Sequence, residues 1–438
     1  MRRPSSLFFW SLLVTGSRAL WQTNVRIALD TDSGTYLHPP SGDPWYSAPD
    51  GWEATAPGTV LKVREHAYNM TPIAIANVKD TFQVLFRTTN SLGNATWAVT
   101  TAFIPTQQRN STGKANRNIN IVSYQLPYDT SCIDASPSYG LQWGEPYGEI
   151  ADLLGRGWLV SVPDFEGPLA AYSANIIAGY ITLDSVRAVL QTIGRFGFDQ
   201  STSRVALWGY SNGASATEAA AEFCAKYAPE LKLSGAAIGG LSPNLTTSGP
   251  LLTGNEVSGL LVQGIIGITS QYPDQRKYLI SRLNPSGPYN ATEFFYASYM
   301  SGWQSLLYYS YVSIFEYFIG GQEDLEVPEM VALFEKEGTL GVHGTPNMPV
   351  FMYHAIYDDM TPIEDTDGLV QRFCDKGANI LYHRNSWGGH NDELTNGRQR
   401  ALDFLGDVLV GTKTLPFPSS GCQTTNLTFM QDPSQPIA

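Results

Sequence analysis

Apolar and polar positions along this chain follow two alternating periods. Short runs that are β-branched, aromatic or almost wholly apolar predict strands, and apolar residues three and four apart predict helices. Residues 81–89 and 96–105 flank a polar turn and predict a hairpin. Residues 119–125 and 157–164 predict two strands, with a helix near 150–154 between them. A helix over 181–194 carries Val186, Val189, Leu190 and Ile193 on one stripe. A strand at 204–208, a small-residue helix at 214–222 and a strand at 233–241 follow. After a long interruption come strands at 349–356 and 379–384 and a closing helix at 399–410. Several of these strands are nearly continuously apolar. That pattern predicts an α/β fold, a mostly parallel sheet with helices on both faces. The proline-bearing tail from 414 to 438 reads as a wrapped arm or a loose end, and no internal repeat is visible.

The interruption, residues 241–348, has a different texture. Phe294, Phe295, Tyr296, Tyr299, Trp303, Tyr308 and Tyr309 crowd one stretch, and Phe315, Tyr317 and Phe318 follow. The spacing predicts a helical insertion. Helical periodicity reports burial but not what is buried against. Two readings therefore stand: a satellite core of its own, or a lid whose apolar face lines an acyl pocket or meets a lipid surface. The predicted division is 1–19 as a leader, 20–240 and 349–438 as two parts of one core, and 241–348 as the lid.

The leader is read from Met1-Arg2-Arg3, the short apolar run from Leu7 to Val14, and the small residues Ser17 and Ala19. Together these are a secretory signal peptide cut after Ala19. No later apolar run is long enough to span a bilayer, so a soluble, secreted, monomeric protein is expected. Six N-x-S/T sequons, at Asn69, Asn94, Asn110, Asn244, Asn290 and Asn426, suit glycosylation on that route. Four cysteines in an oxidising compartment predict two disulfides. Cys374 and Cys422, both near the C-terminus, form one expected pair, which leaves Cys132 with Cys224. The net charge of −13 argues against nucleic-acid partners and anionic membranes. Neither C-x-x-C nor H-E-x-x-H occurs, and neither a metal nor a cofactor is expected.

Candidate chemistry centres on Gly209-Tyr210-Ser211-Asn212-Gly213. This G-x-S-x-G pentapeptide falls between a predicted strand and a predicted small-residue helix, the setting of a nucleophile elbow. Elbow enzymes on such sheets present serine, acid and histidine in that chain order. His38 and His66 precede the serine, and His343 and His354 precede any convincing acid. His383 lies inside a strand, whereas His390 lies in the glycine loop Gly388-Gly389-His390, at a strand end where catalytic groups gather. His390 is therefore the expected base and His383 the structural alternative. Asp358, just past the strand at 349–356, is the expected acid, with Asp359 as fallback. Backbone N–H groups of Asn212 and of Asp129, in the loop after the strand at 119–125, are the expected oxyanion donors.

Several segments recur together around these residues: Gly209-Tyr210-Ser211-Asn212-Gly213, Ser123 to Asp129, Pro163-Asp164-Phe165-Glu166-Gly167-Pro168, Gly179-Tyr180 leading to Leu183-Asp184-Ser185, and His354 to Pro362. This set resembles the fungal secretory lipases of the lipase A type, from about Tyr68 to about Leu409. The resemblance implies an α/β-hydrolase core, an inserted helical lid and hydrolysis of triacylglycerols through Ser211, Asp358 and His390, with Asp129 in the oxyanion loop. It departs from the family pattern at Ala355, where glycine is usual, and at Thr361, where valine is common. A carboxylesterase or acyltransferase acting on a smaller or specialised ester is the alternative. A serine peptidase would need a clamp for a peptide terminus that the sequence does not supply.

Overall fold

The predicted strands join one mixed sheet. The computed structural model describes residues 37–65, 77–106, 117–143 and 147–431, and every element below belongs to the compact unit His38–Ala438. The expected signal peptide and the sequons Asn69 and Asn110 lie outside the described residues. The strands are β1 (Val60–Glu65), β2 (Val78–Thr89), β3 (Ala95–Pro105), β4 (Ile121–Gln125), β5 (Leu159–Pro163), β6 (Val205–Tyr210), β7 (Leu233–Gly239), β8 (Val350–Ala355), β9 (Ile380–Asn385) and β10 (Cys422–Leu427). Their order across the sheet is β1-β2-β3-β5-β4-β6-β7-β8-β9-β10. β1, β2, β3 and β5 pair antiparallel in turn, and from β5 through β10 every pairing is parallel.

β4, β5, β6 and β8 are buried at every position, as central strands of largely apolar sequence are when helices cover both faces. The helices flanking the sheet are α1 (Gly148–Gly155), α2 (Asn175–Thr192), α3 (Asn212–Tyr227), α8 (Ile363–Asp375) and α9 (His390–Val410). Between β7 and β8 the chain leaves the sheet and forms α4 (Ser258–Ser270), α5 (Pro273–Arg282), α6 (Gly302–Tyr308) and α7 (Pro328–Gly338). This insertion has a core of its own, in which Phe294, Tyr309, Ile314 and Tyr317 pack on Val262 and Ile266 of α4. The parallel sheet, its helices and the single excursion make an α/β-hydrolase fold.

Three expectations need correction. Of the two readings of the tail, the loose end falls over its described residues: β10 adds a tenth, parallel strand beside β9. Its sequence, Cys-Gln-Thr-Thr-Asn-Leu, buries no side chain fully, so the hydrophobic pattern carried no sign of it. A disulfide between Cys374 of α8 and Cys422 fastens it, with Cα atoms 5.8 Å apart, the pairing expected from the sequence. Cys132 and Cys224, by contrast, are unpaired and buried. Cys132 lies just past the carboxyl end of β4, beside the insertion. Cys224 is the thirteenth residue of α3, about 18 Å down a helix that starts at that same end. A disulfide needs Cα atoms within about 7 Å. Burial instead pushes each thiol up to about 11. Finally, the segment Asn175–Phe196 is long and apolar enough to cross a bilayer by composition, but most of it is buried in the protein, against β2 and α3.

Candidate active site

β6 and α3 are joined through a single residue, Ser211. Its backbone (φ 56°, ψ −126°) lies in a region costly for a residue with a side chain, and such strain collects at functional sites. The surroundings hold it there. Ser211 N–H donates to the Gly239 carbonyl at 2.9 Å, which ties the turn to the end of β7. A Cβ on Gly209 would stand 2.1 Å from the Gly213 carbonyl oxygen, and one on Gly213 would stand 1.9 Å from the Gln125 carbonyl oxygen. Only glycine lets strand, turn and helix close so tightly.

Two other strand ends deliver the remaining groups. His390 is the first residue of α9, just after β9, and its side chain is almost wholly buried. Its Nε2 lies 2.9 Å from Ser211 Oγ, and its Nδ1 lies 2.7 Å from Asp358 Oδ2. Asp358 follows β8. Its other oxygen, Oδ1, accepts from the N–H groups of Met360 at 2.9 Å and Thr361 at 2.7 Å. Burial alone would raise the Asp358 carboxyl, but hydrogen bonds from His354 and His390 outweigh it and hold the group far below the carboxylate range. Asp359, the fallback, accepts instead from the backbone N–H of His390 at 3.2 Å. Tyr210 donates its hydroxyl to the His390 carbonyl at 2.6 Å and packs its ring 5.3 Å from the imidazole. His383, the alternative base, stays in β9 edge-on to Phe351, and burial pushes its imidazole down to about 4.

The loop expected to supply an oxyanion donor is beside the elbow because β4 and β6 are in register, with Gln125 opposite Gly209. Asp129 in that loop also has a positive φ, 49°. Its Oδ1 is sealed from solvent with no hydrogen-bond partner among the described residues, and burial pushes the carboxyl up to about 6, partly offset by His390. Asn212 opens α3, and the first N–H groups of a helix have no partner within it.

Sequence reasoning left out two groups. Glu166, after β5, faces the Asn212 side-chain amide at 3.3 Å, and burial together with the nearby Asp129 raises its carboxyl strongly. His354, on β8, lies 3.3 Å from Asp358 Oδ2. Its position four residues before the acid was a usable signal; nothing in the pattern marked Glu166 beyond the motif that contains it.

Ser211 and Asn212 open onto a cavity of about 270 Å³. Its walls are mostly apolar, with Leu245, Leu260, Ile265, Phe315, Leu325 and Phe334 coming from the insertion. The insertion meets the oxyanion loop through Thr130, whose hydroxyl donates to the Met300 carbonyl at 2.6 Å. From there α6 projects Trp303 and Leu307, one helical turn apart and more than three-quarters exposed, with Tyr299 equally exposed beside them. Such an arrangement can carry out acyl transfer on an ester with an apolar part.

The chain is similar to known lipases and esterases. A family model described as secretory lipase matches residues 140–416. The trichothecene C-3 esterase of Fusarium sporotrichioides is 45% identical over 84% of this chain and 84% of its own length. Lipase A of Arthroderma benhamiae is 34% identical, over 89% of this chain and 83% of its own. The crystal structure of Candida antarctica lipase A superposes with a TM-score of 0.77 at 26% identity, over 91% of this chain and 92% of that one.

Proposed function

The chain belongs to the secretory lipase family of ester hydrolases, and from that premise we propose that Ser211, His390 and Asp358 work as a catalytic triad in a secreted enzyme. Ser211 Oγ attacks the ester carbonyl carbon while His390 Nε2 takes the hydroxyl proton. Asp358 keeps the Nδ1–H tautomer and offsets the imidazolium charge. The oxyanion of the tetrahedral intermediate is met by the N–H groups of Asn212 and Asp129, and by the positive end of α3. His390 then returns its proton to the leaving alcohol. Water enters by the same route and frees the acid, with His390 again as base. The observation that carries this reading is the hydrogen-bonded line Ser211–His390–Asp358 at the mouth of an apolar cavity.

The substrate reading favoured here is a triacylglycerol. The apolar cavity suits an acyl chain, and exposed Tyr299, Trp303 and Leu307 suit contact with an oil surface. A second reading, a trichothecene ester, is favoured by the 45% identity to a trichothecene C-3 esterase. Ser242, Thr246 and Ser248 add polar residues to the cavity wall. Assays of p-nitrophenyl esters from acetyl to palmitoyl, an emulsified triacylglycerol and a trichothecene C-3 ester distinguish them. The favoured reading predicts turnover of the emulsion that falls in Trp303→Ser while soluble esters are cleaved as before. Turnover of the trichothecene ester with no action on the emulsion would establish the second reading instead.

A further inference from the structure

Asp358 is approached by two imidazoles, not one. Oδ2, the oxygen that meets His390 Nδ1 at 2.7 Å, also lies 3.3 Å from His354 Nε2. His354 is the fifth residue of β8 and is completely buried. Nε2 faces the Thr361 carbonyl oxygen at 3.0 Å and the Asp358 carboxylate, which can only accept, and the Thr361 hydroxyl at 3.2 Å, which can accept as well. Nε2 therefore carries a hydrogen. On the far side Nδ1 lies 3.2 Å from the hydroxyl of Thr366 in α8, whose one hydrogen goes either to Nδ1 or to the Leu241 carbonyl 3.3 Å away. One line of polar contacts thus runs from the first residues after β7, through α8 and β8, to the acid.

We propose that His354 is a positioning residue for the acid, a role that rests on the triad reading above. Its Nε2–H is shared between Asp358 Oδ2 and the Thr361 carbonyl. It thereby fixes the turn from Tyr357 to Pro362 and the plane of the carboxylate together. Oδ1 is held by two backbone N–H groups, so the carboxylate has no freedom to rotate away from His390. The arrangement also divides the accepting capacity of Oδ2 between two donors. With His354 removed, Oδ2 would serve His390 alone, and a stronger acceptor at Nδ1 makes Nε2 more basic. The other titratable groups facing this assembly are Glu393 of α9, which is paired with Arg400 and feels His354; Tyr210 of β6; Asp359 at the His390 N–H; and Asp129 across the site.

The test compares His354→Phe, which keeps the ring volume and loses both nitrogens, with His354→Gln, whose side-chain amide can restore a donor toward Oδ2. Active sites are counted with a phosphonate ester, so that unfolded protein does not enter the rate. For a soluble p-nitrophenyl ester, His354→Phe is expected to lower kcat roughly 10- to 100-fold at little-changed KM. The acidic limb of its kcat/KM profile is expected to move to higher pH. His354→Gln is expected to recover most of kcat and the original limb. Should His354→Phe fail to fold, Thr366→Val, which removes only the Nδ1 partner, is expected to shift the limb in the same direction with a smaller loss of kcat. An unmoved limb with unchanged kcat per titrated site, or equal damage in the Phe and Gln variants, overturns the proposal. Phosphonate bound at Ser211 and an inactive His390→Ala show in the same experiment that the triad stands, so a failure here is not a failure there.

Discussion

Gly213→Ala perturbs the elbow without touching a reacting atom. The added Cβ would stand 1.9 Å from the Gln125 carbonyl oxygen and 2.9 Å from its carbon. Because real Cβ atoms essentially never approach within 3.0 Å, the end of β4 and the start of α3 must separate by about 1 Å. Both opposing groups are backbone, so no side-chain rotation can absorb the clash. The displaced segment is the one that leads through Leu126 and Pro127 to Asp129, and the helix that would shift begins with Asn212. Separating them widens the gap between the two proposed oxyanion donors. A misplacement of about 1 Å in a preorganised site costs on the order of 100-fold in rate, and overpacking costs about 1–3 kcal/mol of stability. The assay is kcat/KM on a soluble p-nitrophenyl ester, with Tm followed alongside. Gly194→Ala, whose Cβ would meet nothing within 4 Å, is the control and is expected to match the unmodified enzyme. Gly213→Ala with unaltered kcat/KM would refute the link between this contact and the oxyanion site.

Two other predictions concern stability. Glu218 of α3 is buried, its carboxyl oxygens meet no cationic or backbone donor among the described residues, and burial and the neighbouring Glu222 raise its pKa well above the ordinary value. The folded state therefore binds this proton more tightly than the unfolded chain, and wild-type stability falls as pH rises above the unfolded carboxylate value of about 4.3. Glu218→Gln is expected to gain Tm relative to wild type progressively from pH 4 to pH 8; a gap that does not change with pH would contradict this. Replacing Cys374 and Cys422 together by serine opens a cross-link spanning 48 residues, worth about 4 kcal/mol in the chain-entropy description. Denaturant titration should show that loss, with kcat/KM in the cold unchanged, because β10 lies at the sheet edge away from Ser211.

Much of this molecule was legible before its coordinates. The strands β2 through β9 fall within a few residues of the expected positions, because each concentrates β-branched, aromatic or apolar residues in a short run. The geometry also brings Ser211, His390 and Asp358 together, residues that local pattern and chain order had singled out. What the pattern missed had physical reasons. β10 is an exposed edge strand held by a disulfide and backbone pairing, so its side chains carry no periodic signal. α9 begins at His390, nine residues before the apolar stripe that marked it, because its first turns carry the site and polar contacts rather than core. Cys132 and Cys224 were paired by elimination, which knows nothing of distance along a helix. His354 was dismissed by its place before the acid, yet a strand end puts residues four apart close together when the chain turns back.

The most direct test of the account is covalent trapping. A p-nitrophenyl alkylphosphonate forms a stable tetrahedral adduct on an activated serine, and peptide mapping by mass spectrometry locates it. The account predicts one equivalent of adduct on the peptide containing Ser211, loss of ester hydrolysis in proportion to labelling, and no adduct in Ser211→Ala or His390→Ala. Full labelling elsewhere, or hydrolysis that persists once Ser211 is replaced, would contradict it.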